Sequence, residues 1–339
     1  MNDDMFKRAL FNAMQNNHSD DTDNNEEMCV SSIKDANVLL KLHMDPNSAS
    51  YRKRLVEYVT NPENRVFSEP DVYHNFVMDL FRAGDYDAAI KVCDFVLEYA
   101  PKNTDILADA IKACGDSSQF ERGETYLAKA NTLGDGYKYW SWRLFLYAVD
   151  FLHTKLKAYP DDAGLFNRAY DLAKKYVEKF PKDEHGYNQQ AEILITVNRQ
   201  EDAMADLYRF ITDKNGDSTL ICAQCCVTLL NLLDDSNDYK RIIEICDKGM
   251  CNTAQEQPSA ALGFFVYRKA LALDAMAHND GFREGTVKDA MKYYQAAYDL
   301  NQGRSYTEVI EQRYALLRIH MDPAKFVPLV KRSLFVNED

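Results

Sequence analysis

The side chains best placed to do chemistry in this chain are thiols. Cys222-x-x-Cys225-Cys226 falls on one expected helix and Cys246 on the next. Paired cysteines hold zinc when a knuckle turn bends both sulfurs toward one point, a geometry that mid-helix positions do not give. The neighbours Leu220, Ile221, Val227, Leu229 and Leu230 are apolar, so the cluster reads as thiols packed in a core. Asp213-x-Asn215-x-Asp217 opens like a calcium loop. Such a loop needs glycine at its sixth position and glutamate at its twelfth; Ser218 and Gln224 stand there, and the stretch reads as a polar turn between helices.

Arg313 and His320 have the spacing of an Arg–His pair that cleaves RNA in one helical ribonuclease family. That chemistry needs both groups open to the substrate. The interval Tyr314-Ala315-Leu316-Leu317-Arg318-Ile319 is mostly apolar and suits a packed terminal helix instead. The histidines at 18, 43, 74, 153, 185, 278 and 320 are scattered. The sequence has no His-Glu-x-x-His, no Gly-x-Ser-x-Gly and no phosphate-cradling glycine loop. No catalytic residue, metal ligand or cofactor is assigned, and the expectation is a protein that is not an enzyme.

Composition narrows the partners. Over 339 residues the net charge is −13, so a phosphate backbone or an anionic bilayer is repelled by most of the surface. No nucleic acid and no membrane is expected as a partner. No apolar run reaches the roughly 18 residues of a membrane span. Residues Met1-Asn2-Asp3-Asp4 lack the basic and then apolar pattern of a signal peptide. The eight cysteines sit mostly inside apolar helical stretches, as reduced thiols do, and a cytoplasmic location follows as an expectation.

The elements that must position any site are helices. Gly (13) and Pro (9) are too scarce for a fold of many turns. Residues 1–28 read as an acidic, largely flexible segment, with a short amphipathic helix over 3–15 ahead of a polar linker. Residues 29–66 form a short helical region with helices over 29–44 and 49–60. From there a period appears. Tyr86, Ala89, Cys93 and Val96 recur 34 residues on as Phe120, Gly123, Leu127 and Ala130. Phe166, Ala169, Ala173 and Tyr176 recur at the same interval as Gln200, Ala203, Leu207 and Phe210. One helical hairpin cannot bury its apolar stripe alone, so hairpins repeated in this way stack and share a core. The small residue at 89, 123, 169 and 203 lets two helices approach, and the larger ones beyond it fill the groove.

On these residues the chain resembles the tetratricopeptide repeat family. Tyr73, Phe76, Leu80, Gly84-Asp85-Tyr86, Ala89, Cys93 and the closing Pro101 follow its pattern, and Pro181 closes a later repeat. The resemblance spans 67–303 and implies an all-α, right-handed superhelical solenoid of antiparallel helix pairs. Residues 304–339 are expected as capping helices, Tyr306–His320 and one more through Phe335. The third repeat is stretched around an expected long helix Tyr137–Lys157, the fifth through Asp234–Asp238 and the sixth by His278–Thr286.

In this family the first helix of each hairpin lines the concave, partner-binding side. Carried over position by position, that implies His74, Asn75, Met78 and Arg82 from the first repeat and Asp105, Asp109 and Lys112 from the second. Trp142 and Arg143 come from the third, and Asn188, Gln189 and Glu192 from the fourth. Asp105 and Asp109 would repel a carboxylate, which argues against the two-carboxylate clamp by which some members hold acidic chaperone tails. The leading expectation is a protein- or peptide-binding scaffold or adaptor. The alternative is a peptide-sensing regulator whose effector module is the N-terminal region, although no basic recognition helix is visible there. A hidden enzyme or RNA-binding protein comes third.

Overall fold

Apolar residues spaced three and four apart give this chain helices throughout. A computed structural model describes residues 33–64, 70–134, 136–212, 223–234, 236–253, 260–300 and 306–321. Among the described residues there are fifteen α-helices and no strand. They fall into two compact units that divide between Tyr159 and Pro160.

The first unit holds α1 (Ile33–Leu42), α2 (Ala49–Val59), α3 (Pro70–Arg82), α4 (Tyr86–Tyr99), α5 (Thr104–Asp116), α6 (Phe120–Asn131) and α7 (Trp142–Ala158). The first helices of the hairpins pack in order, α1 on α3, α3 on α5 and α5 on α7. Each second helix is wedged against the first helices before and after it: α4 meets α3 and α5, and α6 meets α5 and α7. The α1–α2 hairpin joins by the same rule, α1 against α3 and α2 against α4. Arg52 on α2, 4% exposed, fastens that join. Its Nη1 donates to the carbonyls of His43 and Asp45 at 2.9 and 2.7 Å, and its Nε lies 3.5 Å from Asp85 ahead of α4.

The second unit holds α8 (Ala163–Lys179), α9 (Glu184–Thr196), α10 (Gln200–Thr212), α11 (Ala223–Leu232), α12 (Tyr239–Thr253), α13 (Ala260–Asn279), α14 (Glu284–Leu300) and α15 (Thr307–Arg318). Here α9 packs beside α11, with α10 against both. Next, α12 lies against α11 and α13, and α14 against α13 and α15.

The 34-residue period is the period of the second helices. Ala89, Ala169 and Ala203 are wholly buried on α4, α8 and α10, and Gly123 is buried on α6. At Gly123 the approach is so close that a Cβ would stand 2.2 Å from the Phe151 ring of α7. The larger partners Cys93, Val96, Leu127, Tyr176 and Leu207 are buried beside them, as is Ala173. Fully burying a side chain the size of Val96, Leu127 or Leu207 contributes about 1.5–3 kcal/mol.

The turns repeat as well. Gly84, Ser118, Asn198 and Gly281 all have positive φ at the end of a helix. The amide of the next residue donates back to the last turn at each: Asp85 to Leu80, Gln119 to Cys114, Arg199 to Leu194 and Phe282 to Ala277. This left-handed stop satisfies carbonyls that would otherwise be orphaned and reverses the chain into the second helix. First helices start on side-chain caps instead. Asn103 Oδ1 accepts from the amides of Asp105 and Ile106, Ser141 Oγ from Leu144 and Asp183 Oδ1 from His185.

The expected helix Tyr137–Lys157 needs correction. Gly136–Tyr139 is a single 3-10 turn, and α7 begins only at Trp142, after its cap Ser141. Between them Trp140 is buried and donates its indole N–H to the Ala130 carbonyl at 3.1 Å, which pins the connection to the end of α6. The extra length near 278–286 is taken up by the helices on either side of a short turn: α13 runs on to Asn279 and α14 starts at Glu284. The expectations for residues 1–28, the loop 213–217 and the last helix through Phe335 lie outside the described residues.

Candidate functional site

Three first helices of the N-terminal unit bring the expected residues of the first three repeats together. Along α5, Asp105, Asp109, Lys112 and Asp116 stand four, seven and eleven apart, so they form one stripe. Along α7, Arg143, Tyr147 and Asp150 do the same. On α3, His74 faces this pair of stripes.

A polar chain crosses the three helices. Asp109 Oδ2 lies 2.7 Å from His74 Nδ1, and His74 Nε2 lies 2.5 Å from Arg143 Nη2. Arginine can only donate, so Nε2 accepts and the imidazole proton sits on Nδ1, where it is donated to Asp109. Arg143 Nη1 also stands 3.7 Å from Asp105, whose Oδ1 accepts from Ser141 Oγ at 3.4 Å. Two turns along, Lys112 lies 3.0 Å from Asp116 and 3.9 Å from Asp150, with its ammonium 5.4 Å from the centre of the Tyr147 ring. At the edge of the row, Asp79 pairs with Arg82 and, at 3.8 Å, with Lys41 of α1.

The electrostatics are uneven. Asp109 is 0% exposed and its Oδ1 accepts no hydrogen bond among the described residues. Burial pushes its carboxyl above the usual range, and the bond from His74 only partly offsets this. Burial also raises Asp150, against the pull of Lys112. For Lys112 burial acts downward, but Asp116, Asp150 and Tyr147 outweigh it and its pKa rises.

Each expected residue can now be located. His74, Asp105, Asp109, Lys112 and Arg143 belong to this network, and Arg82 flanks it. Asn75 is exposed and Met78 half-buried on α3. Trp142 is 50% exposed beside Arg143. Asn188, Gln189 and Glu192 lie on α9 in the second unit. Asn188 and Gln189 are only 8% exposed; Asn188 donates to Glu192 at 3.0 Å and accepts from Thr228 of α11 at 2.6 Å. Tyr147 and Asp150 were not among the expected residues. Their four- and seven-residue spacing from Arg143 was the signal that could have found them.

The His74 lone pair that a general base would use is occupied by Arg143. Among the described residues no group of three or more His, Cys, Asp or Glu is placed to hold a metal. Cys225, Cys226 and Cys246 are buried in the core shared by α9 to α13, and burial pushes the Cys246 thiol up to about 12; Cys222 lies outside the described residues. Arg313 is held 2.7 Å from the buried Asp274, and His320 is stacked on Phe282. Among the described residues no helix is long and apolar enough to cross a membrane.

The fold defines the class: within each unit the chain is all-α, built of helical hairpins, and the sequence period is also the packing period of the second helices. Among solved structures, the chain is similar to MamA protein, with 17% identity and a TM-score of 0.34 over 69% of this chain and 92% of that one. It is also similar to the C-terminal part of a TPR repeat-containing protein from Cytophaga hutchinsonii, with 12% identity and a TM-score of 0.36 over 84% and 95%. No protein-family model and no curated protein matches the chain.

Proposed function

We propose that this protein is a non-enzymatic scaffold that holds a protein or peptide partner on the first-helix row of its N-terminal unit. The observation that carries this reading is the buried Asp109. A carboxylate at zero exposure with one oxygen unused lowers stability. An apolar side chain in its place would pack at less cost. Groups kept against the interest of stability concentrate where proteins bind or react. The occupied lone pair of His74 favours binding of the two. Trp142, large and half exposed at the same end of the row, is the type of residue that dominates interface energies. Six cysteines among the described residues keep their thiols reduced, five of them buried; this suits a reducing compartment, and we place the scaffold in the cytoplasm.

The test is proximity crosslinking from a photoreactive amino acid at position 142 in the full chain, compared with the same probe at the exposed Glu121 on the second-helix row. Partner peptides captured at 142 and lost in an Arg143→Ala, Trp142→Ala background support the reading. Equal capture from both rows, or capture unaffected by the row variants, overturns it.

A further inference from the structure

We draw no further inference here: the strongest candidate, the apolar stripe that Val309, Leu316 and Ile319 leave exposed along α15, the last described helix, is an unpartnered helix face, and nothing in the structure shows what covers it.

Discussion

His74 and Asp109 share a 2.7 Å hydrogen bond between α3 and α5, 35 positions apart in sequence, and it is the only hydrogen bond Asp109 accepts through its side chain among the described residues. Replacing His74 with phenylalanine leaves the buried carboxylate with no donor. A loss of about 2–3 kcal/mol is expected, measured as a lower urea midpoint at unchanged slope.

Replacing Asp109 with asparagine acts in the opposite direction. The amide oxygen still accepts from His74, but no charge is buried. The folded pKa of Asp109 lies above its unfolded value, so the folded state binds the proton more tightly. Its contribution to stability therefore falls as pH rises from the unfolded value through the folded one. Melts of the two proteins across that range should diverge in favour of Asp109→Asn toward neutral pH. A wild type that gains on the variant with rising pH would show that the buried charge is well compensated.

Gly123 and Gly249 are where two helices come closest. A methyl group would stand 2.2 Å from the Phe151 ring at the first and 2.7 Å from the Phe265 ring at the second. Each Gly→Ala change should cost about 1–3 kcal/mol despite the better helix propensity of alanine. Phe151→Leu should relieve part of the Gly123→Ala cost in a double-mutant cycle, while additive losses would mean the two sites do not touch.

Arg52 is buried and satisfies two carbonyls of the α1–α2 turn. Methionine there keeps much of the volume and leaves both carbonyls without this donor. A loss of about 2–3 kcal/mol is expected, with hydrogen exchange in α1 and α2 rising ahead of that in α5. Uniform exchange across the unit would contradict the local role given to this side chain.

Ser118 holds φ +57° where Gly84 holds +70° one period earlier. The left-handed region strains a side chain and suits glycine. Ser118→Gly should therefore stabilise the chain by about 0.5–1 kcal/mol, read as a raised melting temperature.

Much of this fold was legible in the sequence, for a definite reason. Ala89, Gly123, Ala169 and Ala203 can only be small, because each sits where two helices touch, and that need recurs with every hairpin. The start of α7 was not legible. Tyr137 and Trp140 have the apolar character of a helical stripe, and only the Trp140 bond to Ala130 shows that they pack as a connection. The site was partly legible. First-helix positions pointed to His74, Asp109 and Arg143, but periodicity does not register that Asp109 is covered by its neighbours, that Asn188 is occupied with Glu192 and Thr228, or that Gln189 is buried. Tyr147 and Asp150 were hidden by the longer third repeat, which shifts α7 out of the 34-residue count.

The left-handed stop at Gly84, Ser118, Asn198 and Gly281 also bears on how the chain folds. Each turn closes a loop of only a few residues, so a hairpin's own two helices meet with little entropy lost. A nascent chain leaving the ribosome can thus complete one pair, and add the next to it, before its distal half has been synthesised.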